Sequence, residues 1–271
     1  MNYSEDRKRH LIKYAQSDCL LKNAVGGLWQ GKGSPRDHIL KMQNPKDKKE
    51  QREVIEKYQL NKFNLTLDFI PIGKQHIYAH HLNSSQILCY CYFRRMLDNE
   101  GHPNDKLISL MSQHGISISS SAICSFEYDA FDKYNDDSEI DFHIQDGDTE
   151  VFFEIKYTES KFGAVEVSEK YIKKFDKIYK NLLLGCQCLD SKMSVDDFCA
   201  SYQLNRNVVR ITSKDKYTIF LFPKSHSDLE NEFKKFHETI LEPYKDHVMA
   251  LYWEDIITED SEPELFEKYF K

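Results

Sequence analysis

The chain has 271 residues, of which 40% are hydrophobic and 30% charged, with a net charge of −7. That length can bury one or two sizeable cores. No run of about 18 apolar residues is present to span a membrane, and the start, MNYSEDRKRHLIKYAQ, lacks the apolar stretch of a secretory signal, so a cytoplasmic location is expected. The seven cysteines, at 19, 89, 91, 124, 186, 188 and 199, are expected as reduced thiols; Cys89-x-Cys91 and Cys186-x-Cys188 are spaced too closely for a usual zinc site.

The charge is uneven. Residues 1 to 62 carry 14 Lys+Arg against 8 Asp+Glu, a balance of +6, which leaves 23 against 36, or −13, for the rest. A basic arm joined to an acidic body suits a chain that holds nucleic acid against a carboxylate site, although a solvated helix surface has the same composition.

Residues 4 to 25 read as a helix, and GGLWQGKGSP after it as a loop: the stretch lacks the GxxxxGK[ST] spacing of a phosphate loop. Lys41 to Lys62 reads as a charged helix after Pro45. His76, His80 and His81 lack the acidic partners of a metal site. Asn83 is placed as the start of a helix, with Gln86 three residues on in a capping box and Ile87, Leu88, Cys91, Phe93, Met96 and Leu97 on its buried side. A short helix over 105–114 precedes a strand over 122–131, in which Glu127 alternates with Phe126 and Tyr128.

The central stretch is SEIDFHIQDGDTEVFFEIKYTE, Ser138 to Glu159. Ile140, Phe142 and Ile144 alternate with polar residues, as do Val151, Phe153, Ile155 and Tyr157 with their neighbours, and Asp146-Gly147-Asp148 supplies turn residues between them. If Gly147-Asp148 is the loop, paired positions sum to 295 and Asp141 faces Glu154; if Asp146-Gly147 is the loop, Asp141 faces Phe152. Either register puts Asp141, Glu154 and Lys156 on one face. Two carboxylates roughly 5 Å apart repel by about 3 kcal/mol at an effective dielectric of about 20, a cost that a divalent cation would remove. A solvated polar face with a cross-strand Glu/Lys pattern is the plainer alternative.

Beyond the hairpin, a helix over 165–184 buries Tyr171, Phe175, Ile178 and Leu182 and turns Lys170, Lys173, Lys174, Lys177 and Lys180 away, a row that could follow a phosphate backbone. Gln203 and Arg206 share a face of a helix in SYQLNRNVVR, with Asn207 beside them. Strands over 216–222 and 248–253, separated by a helix over 229–241, extend the sheet.

Asp141 in EIDF and Glu154-Ile155-Lys156 in FEIKYTE resemble the PD-(D/E)XK nuclease superfamily, whose signature is an acidic residue on one strand and Glu-x-Lys on the next within an αβββαβ core. The resemblance covers residues 84 to 222 and departs from the family name in one place, where Ile140 stands for the proline. It implies an α/β, restriction-endonuclease-like domain with a mixed central sheet over residues 83–271, after a mostly helical region over 1–82. It further implies that Asp141, Glu154 and the carbonyl of Ile155 hold Mg²⁺ or Mn²⁺, that Lys156 orients water or meets developing charge, and that Glu127 supplies a third carboxylate. Gln86 stands where relatives carry a helical glutamate; Glu159, Gln203 and Arg206 rank second. The implied activity is endonucleolytic hydrolysis of DNA, with RNA left open and a homodimer suggested by the habit of related enzymes. The alternative from another class is a non-catalytic nucleic-acid-binding or assembly protein, and the intact Asp/Glu-x-Lys set favours the enzyme.

Overall fold

The computed structural model describes residues 2–29, 32–134, 136 and 138–271. They divide into two units, Met1–Asp98 with Glu254–Lys271, and Asn99–Trp253.

In the first unit, Asn2 caps helix α1 (Tyr3–Ser17) by accepting from the Ser4 amide at 3.0 Å, and α1 buries Leu11, Tyr14 and Ala15. A single turn, α2 (Leu21–Ala24), leads into β1 (Val25–Trp29), which pairs antiparallel with β2 (Lys32–Leu40). The glycine-rich stretch read as a loop is therefore largely a hairpin. Its glycine is needed for close approach, since a Cβ at Gly27 would lie 2.3 Å from the Leu40 carbonyl oxygen. Helix α3 (Lys48–Ile55) follows, capped by Asp47, and then α4 (Ser85–Phe93). The cap of α4 is Ser84, whose hydroxyl accepts from the Ile87 amide at 3.3 Å, and not Asn83 as the capping-box spacing suggested. Nor is the basic segment 1–62 a detachable arm: Leu11, Ala15, Ile39, Leu40, Ile55 and Leu60 are all buried.

The second unit runs α5 (Asp105–Gln113), β3 (Ile123–Asp129), α6 (Phe131–Tyr134), β4 (Glu139–Asp146), β5 (Thr149–Ile155), α7 (Glu169–Lys174), α8 (Lys180–Gly185), α9 (Val195–Ala200), α10 (Tyr202–Val208), β6 (Lys216–Phe222), α11 (Ser227–His237) and β7 (Val248–Tyr252). Its sheet has five strands in the order β3-β4-β5-β6-β7, the first two pairings antiparallel and the last two parallel. This is the mixed α/β sheet expected of a restriction-endonuclease-like core. Pairs such as Phe142↔Phe153 and Asp146↔Thr149 settle the hairpin on the first of the two registers, with Gly147 at φ +58° in its two-residue loop. On the sheet face that carries Glu154 and Phe220, the segment from α7 to α11 contributes Phe175, Tyr179, Leu183, Phe198, Val208 and Phe233 to a dry core.

The chain then makes α12 (Trp253–Ile256) and ends in α13 (Pro263–Tyr269), which belongs to the first unit. The His10 Nε2 lies 3.0 Å from the carbonyls of both Glu267 and Lys268. The units thus differ from the sequence division at 82/83, because α4 and the C-terminal helix pack with the N-terminal elements.

Candidate active site

The β4–β5 ladder runs as far as Phe142↔Phe153, and the next pair in register is Asp141 with Glu154. There the side chain takes over from the backbone: Asp141 Oδ2 accepts from the Ile155 amide at 2.6 Å. On the other side of β5, the Lys156 amide donates to the Leu221 carbonyl and the Trp253 indole donates to the Lys156 carbonyl, both at 2.9 Å. With its backbone fixed in this way, Lys156 projects to the same face as Glu154, two residues back, and its Nζ lies 2.6 Å from Glu154 Oε1. The two side chains are only 9% and 4% exposed.

Burial sets the charges. Burial first, and then the neighbouring Glu154, push the Asp141 carboxyl from its ordinary 3.8 up to about 7, against the pull of Lys156, the Ile155 amide and Arg206. Burial also pushes Glu154 up, but Lys156, Arg206 and the hydrogen bonds from Lys156 and Asn207 outweigh it and hold that carboxyl below its usual range. Burial works against the Lys156 charge, while Glu154, Glu159 and Asp141 together keep its pKa raised. At neutral pH the centre therefore holds an ionised Glu154, an ammonium and a carboxyl poised at its own midpoint.

Helix α10 supplies the remaining contacts. Asn207 Nδ2 donates to Glu154 Oε2 at 2.6 Å, and Arg206 lies 3.9 Å from the same oxygen. The Asn207 amide is oriented by chemistry, because its Oδ1 accepts from Arg210 at 3.4 Å, a cation that could not face the NH₂ end. Arg210 is fully buried and is itself held by Asp136 and by Ser138 Oγ. Sequence reasoning ranked Gln203 and Arg206, noted Asn207 without assigning it, and missed Asp136 and Arg210. The available signal was a polar stripe at 203, 206, 207 and 210 set against the apolar Leu204, Val208 and Val209. Truncating Asn207→Ala should cost about 2 kcal/mol by leaving a buried carboxylate short of a donor. Arg210→Met should cost about 3–5 kcal/mol by taking from the buried Asp136 its closest cation, with, among the described residues, only Lys174 at 3.8 Å to replace it. Urea unfolding at neutral pH measures both, and a smaller loss for Arg210→Met than for Asn207→Ala would contradict this ordering.

The other expected residues are placed as follows. Glu127 lies between the pairs Phe126↔Phe142 and Tyr128↔Ile140, hence across from Asp141, but its φ is +50°. That left-handed residue turns the strand over: the Phe126 ring meets Phe142, while the Tyr128 ring stacks on His143, which points to the opposite face. The alternation that was to carry Glu127 into the site is lost there. Among the described residues no three His, Cys, Asp or Glu side chains gather as metal ligands, so the expected third carboxylate does not join the pair. Gln86 is committed elsewhere, its Oε1 accepting from the His76 amide at 2.9 Å and its Nε2 donating to the Lys74 carbonyl at 3.1 Å, both within the first unit. Glu159 accepts from the Tyr157 amide at 2.7 Å and is, after Glu154, the carboxylate that most strongly holds the Lys156 charge. The Gln203 amide donates to the Gly163 carbonyl at 3.1 Å, tying α10 to the loop after β5. Of the lysine row, Lys173, Lys174 and Lys180 face Glu169, Asp136 and Asp176 at 3.5, 3.8 and 3.7 Å.

A mixed sheet that presents an acidic residue on one strand and Glu-x-Lys on the next defines a restriction-endonuclease-like protein of the PD-(D/E)XK nuclease superfamily. Residues 41–270 match the model of one such family, described as Restriction Endonuclease associating with ARP, and the chain belongs to that family. No curated protein and no solved structure matches it. Membership implies a nuclease-type hydrolase with a nucleic-acid substrate, from a superfamily that typically uses divalent metals. No described helix is long and apolar enough to cross a membrane.

Proposed function

We propose that the protein is a divalent-metal-dependent nuclease that hydrolyses DNA phosphodiesters from within the strand. The observation that carries this reading is the buried cluster in which Asp141 and Glu154 meet on adjacent strands with the Lys156 ammonium 2.6 Å from Glu154. The donor set fits a hard cation. Asp141, Glu154 and the Ile155 carbonyl offer oxygens only, and since Asp141 must give up its proton to bind a cation, metal binding there would release a proton and strengthen as pH rises through about 7. Those three groups would hold Mg²⁺ or Mn²⁺, which when bound supplies Lewis-acid stabilisation of a phosphoryl oxygen and eases deprotonation of water.

The chain's own residues do the rest. In the hydrolysis, a water oxygen forms a bond to phosphorus while the bond from phosphorus to the departing deoxyribose oxygen breaks; the water gives up a proton to solvent, the departing oxygen takes one from solvent, and negative charge grows on the phosphoryl oxygens in between. Lys156 keeps its proton through Glu154, Glu159 and Asp141, so it can orient the water and meet that charge. Asn207 and Arg206 hold the Glu154 carboxylate ionised and fixed. A pair of chains cutting both strands is retained as the working assembly. The association with ARP named in the family's description is extended to this chain on that description alone.

Purified protein should degrade plasmid or linear duplex DNA with Mg²⁺ or Mn²⁺ and stop on addition of chelator. Binding without cleavage of DNA or RNA under either metal would replace the enzyme by a non-catalytic binding module.

A further inference from the structure

The first unit contains a buried cation that its own fold leaves unanswered. Lys268 on α13 is 1% exposed, and among the described residues its Nζ has no hydrogen-bond acceptor. Its nearest company is aromatic, the Tyr269 and Phe63 ring centroids lying 4.6 and 5.5 Å away. A buried ammonium without an acceptor is costly, and native chains seldom keep one without a use for it.

Lys268 also lines a cavity of about 200 Å³ whose wall includes Tyr14, Asp18, Lys57, Tyr58 and Lys62. Lys62 Nζ donates to the Tyr14 hydroxyl at 2.9 Å and lies 3.9 Å from Glu267. Because that hydroxyl already accepts a hydrogen bond, its own proton is available to a ligand, and burial keeps the phenol protonated by raising its pKa. Three lysines set against Asp18 and Glu267 leave the cavity one negative charge short.

We propose that this cavity binds a phosphate group, held by Lys268, Lys62 and Lys57 with the Tyr14 hydroxyl as a neutral donor. Phosphate is favoured over a carboxylate because its additional oxygens and larger charge answer more of the three ammonium groups and the hydroxyl. The volume admits a phosphate group but is small for a whole nucleotide. The source is either free inorganic phosphate or the terminal phosphate of a nucleic-acid strand. Burial lowers the Lys268 amine to about 8, with Cys91 and Asp18 supporting its charge and Lys62 opposing it, so the amine enters neutral solution still largely protonated. The site is distinct from the Asp141–Glu154–Lys156 cluster and does not depend on the nuclease reading.

The test is the unfolding midpoint of the full chain, titrated with sodium phosphate against sodium chloride of equal ionic strength, with calorimetry for the affinity. The wild-type midpoint should climb with phosphate. Lys268→Met should melt higher without phosphate, having lost an uncompensated charge, and should show no climb. Lys62→Met, whose side chain is 39% exposed at the rim, should weaken phosphate binding about tenfold. Lys156→Met should keep the wild-type response, which excludes binding at the candidate active site. A Lys268-dependent preference for a 5′-phosphorylated oligonucleotide over its 5′-hydroxyl form assigns the site to strand ends, and equal binding of the two assigns it to free phosphate. No wild-type response, or a response that survives in both Lys268→Met and Lys62→Met, overturns the proposal.

Discussion

Lys156→Met should lower the single-turnover rate of DNA cleavage by about a thousandfold while changing DNA affinity less than about threefold. The side chain is placed to act on the reacting groups and not on the bulk of the substrate: it is 9% exposed, anchored 2.6 Å from Glu154, and kept charged by three carboxylates. Methionine preserves the volume and removes the charge, so the change reports on the ammonium alone. The loss also exposes the fold to cost, since Glu154 would keep only Arg206 and Asn207 as partners, and breaking a buried pair typically costs about 3–5 kcal/mol. Rates are therefore compared on protein shown to be folded by circular dichroism at the assay temperature. Cleavage within about tenfold of wild type would remove Lys156 from the chemistry.

Which parts of this centre could be read from the sequence follows from the range of the interactions involved. The β4–β5 hairpin was legible because side-chain alternation and a Asp-Gly-Asp turn are local, and both candidate turns preserved the face shared by Asp141, Glu154 and Lys156; only the register itself needed the structure. Glu127 shows the limit of alternation, since one left-handed φ reverses a strand's faces without a glycine or proline to announce it. The β1–β2 hairpin was hidden for the opposite reason: Gly27 serves a close strand approach, yet glycine in sequence reads as a breaker. Arg210 and Asp136 escaped because a polar residue on a helix is ordinarily solvated, and only the long-range packing of α10 on the sheet makes that stripe an interior one. The return of α13 to the N-terminal elements is long-range in the same sense, and no local pattern encodes it.

Relative to Asp141→Asn, metal-free wild-type protein should lose stability as pH rises from about 4 to about 7, because the buried His38, His80 and His81, which burial holds neutral in the folded state, add the same opposite slope to both proteins and cancel in the comparison. The sign follows from the carboxyl. Its pKa in the folded state, about 7, stands above the ordinary 3.8, so the folded chain binds this proton more tightly than the unfolded one. Between those values each rise in pH strips a proton that only the folded state had retained, and this carboxyl's contribution to stability falls until it is fully ionised. The full shift corresponds to about 4 kcal/mol at 1.36 kcal/mol per pH unit, and partial solvent access at Asp141 reduces the expected loss to about 2 kcal/mol. Asparagine keeps an oxygen for the Ile155 amide while removing the charge, so at pH 8 in chelator Asp141→Asn should melt about 4–8 °C above wild type. Added Mg²⁺ should raise the wild-type midpoint and leave the variant unmoved, because the cation relieves a repulsion that the variant lacks. A variant that melts below wild type in chelator, or that still responds to Mg²⁺, would mean that Asp141 is a solvated strand carboxylate and the paired site does not exist.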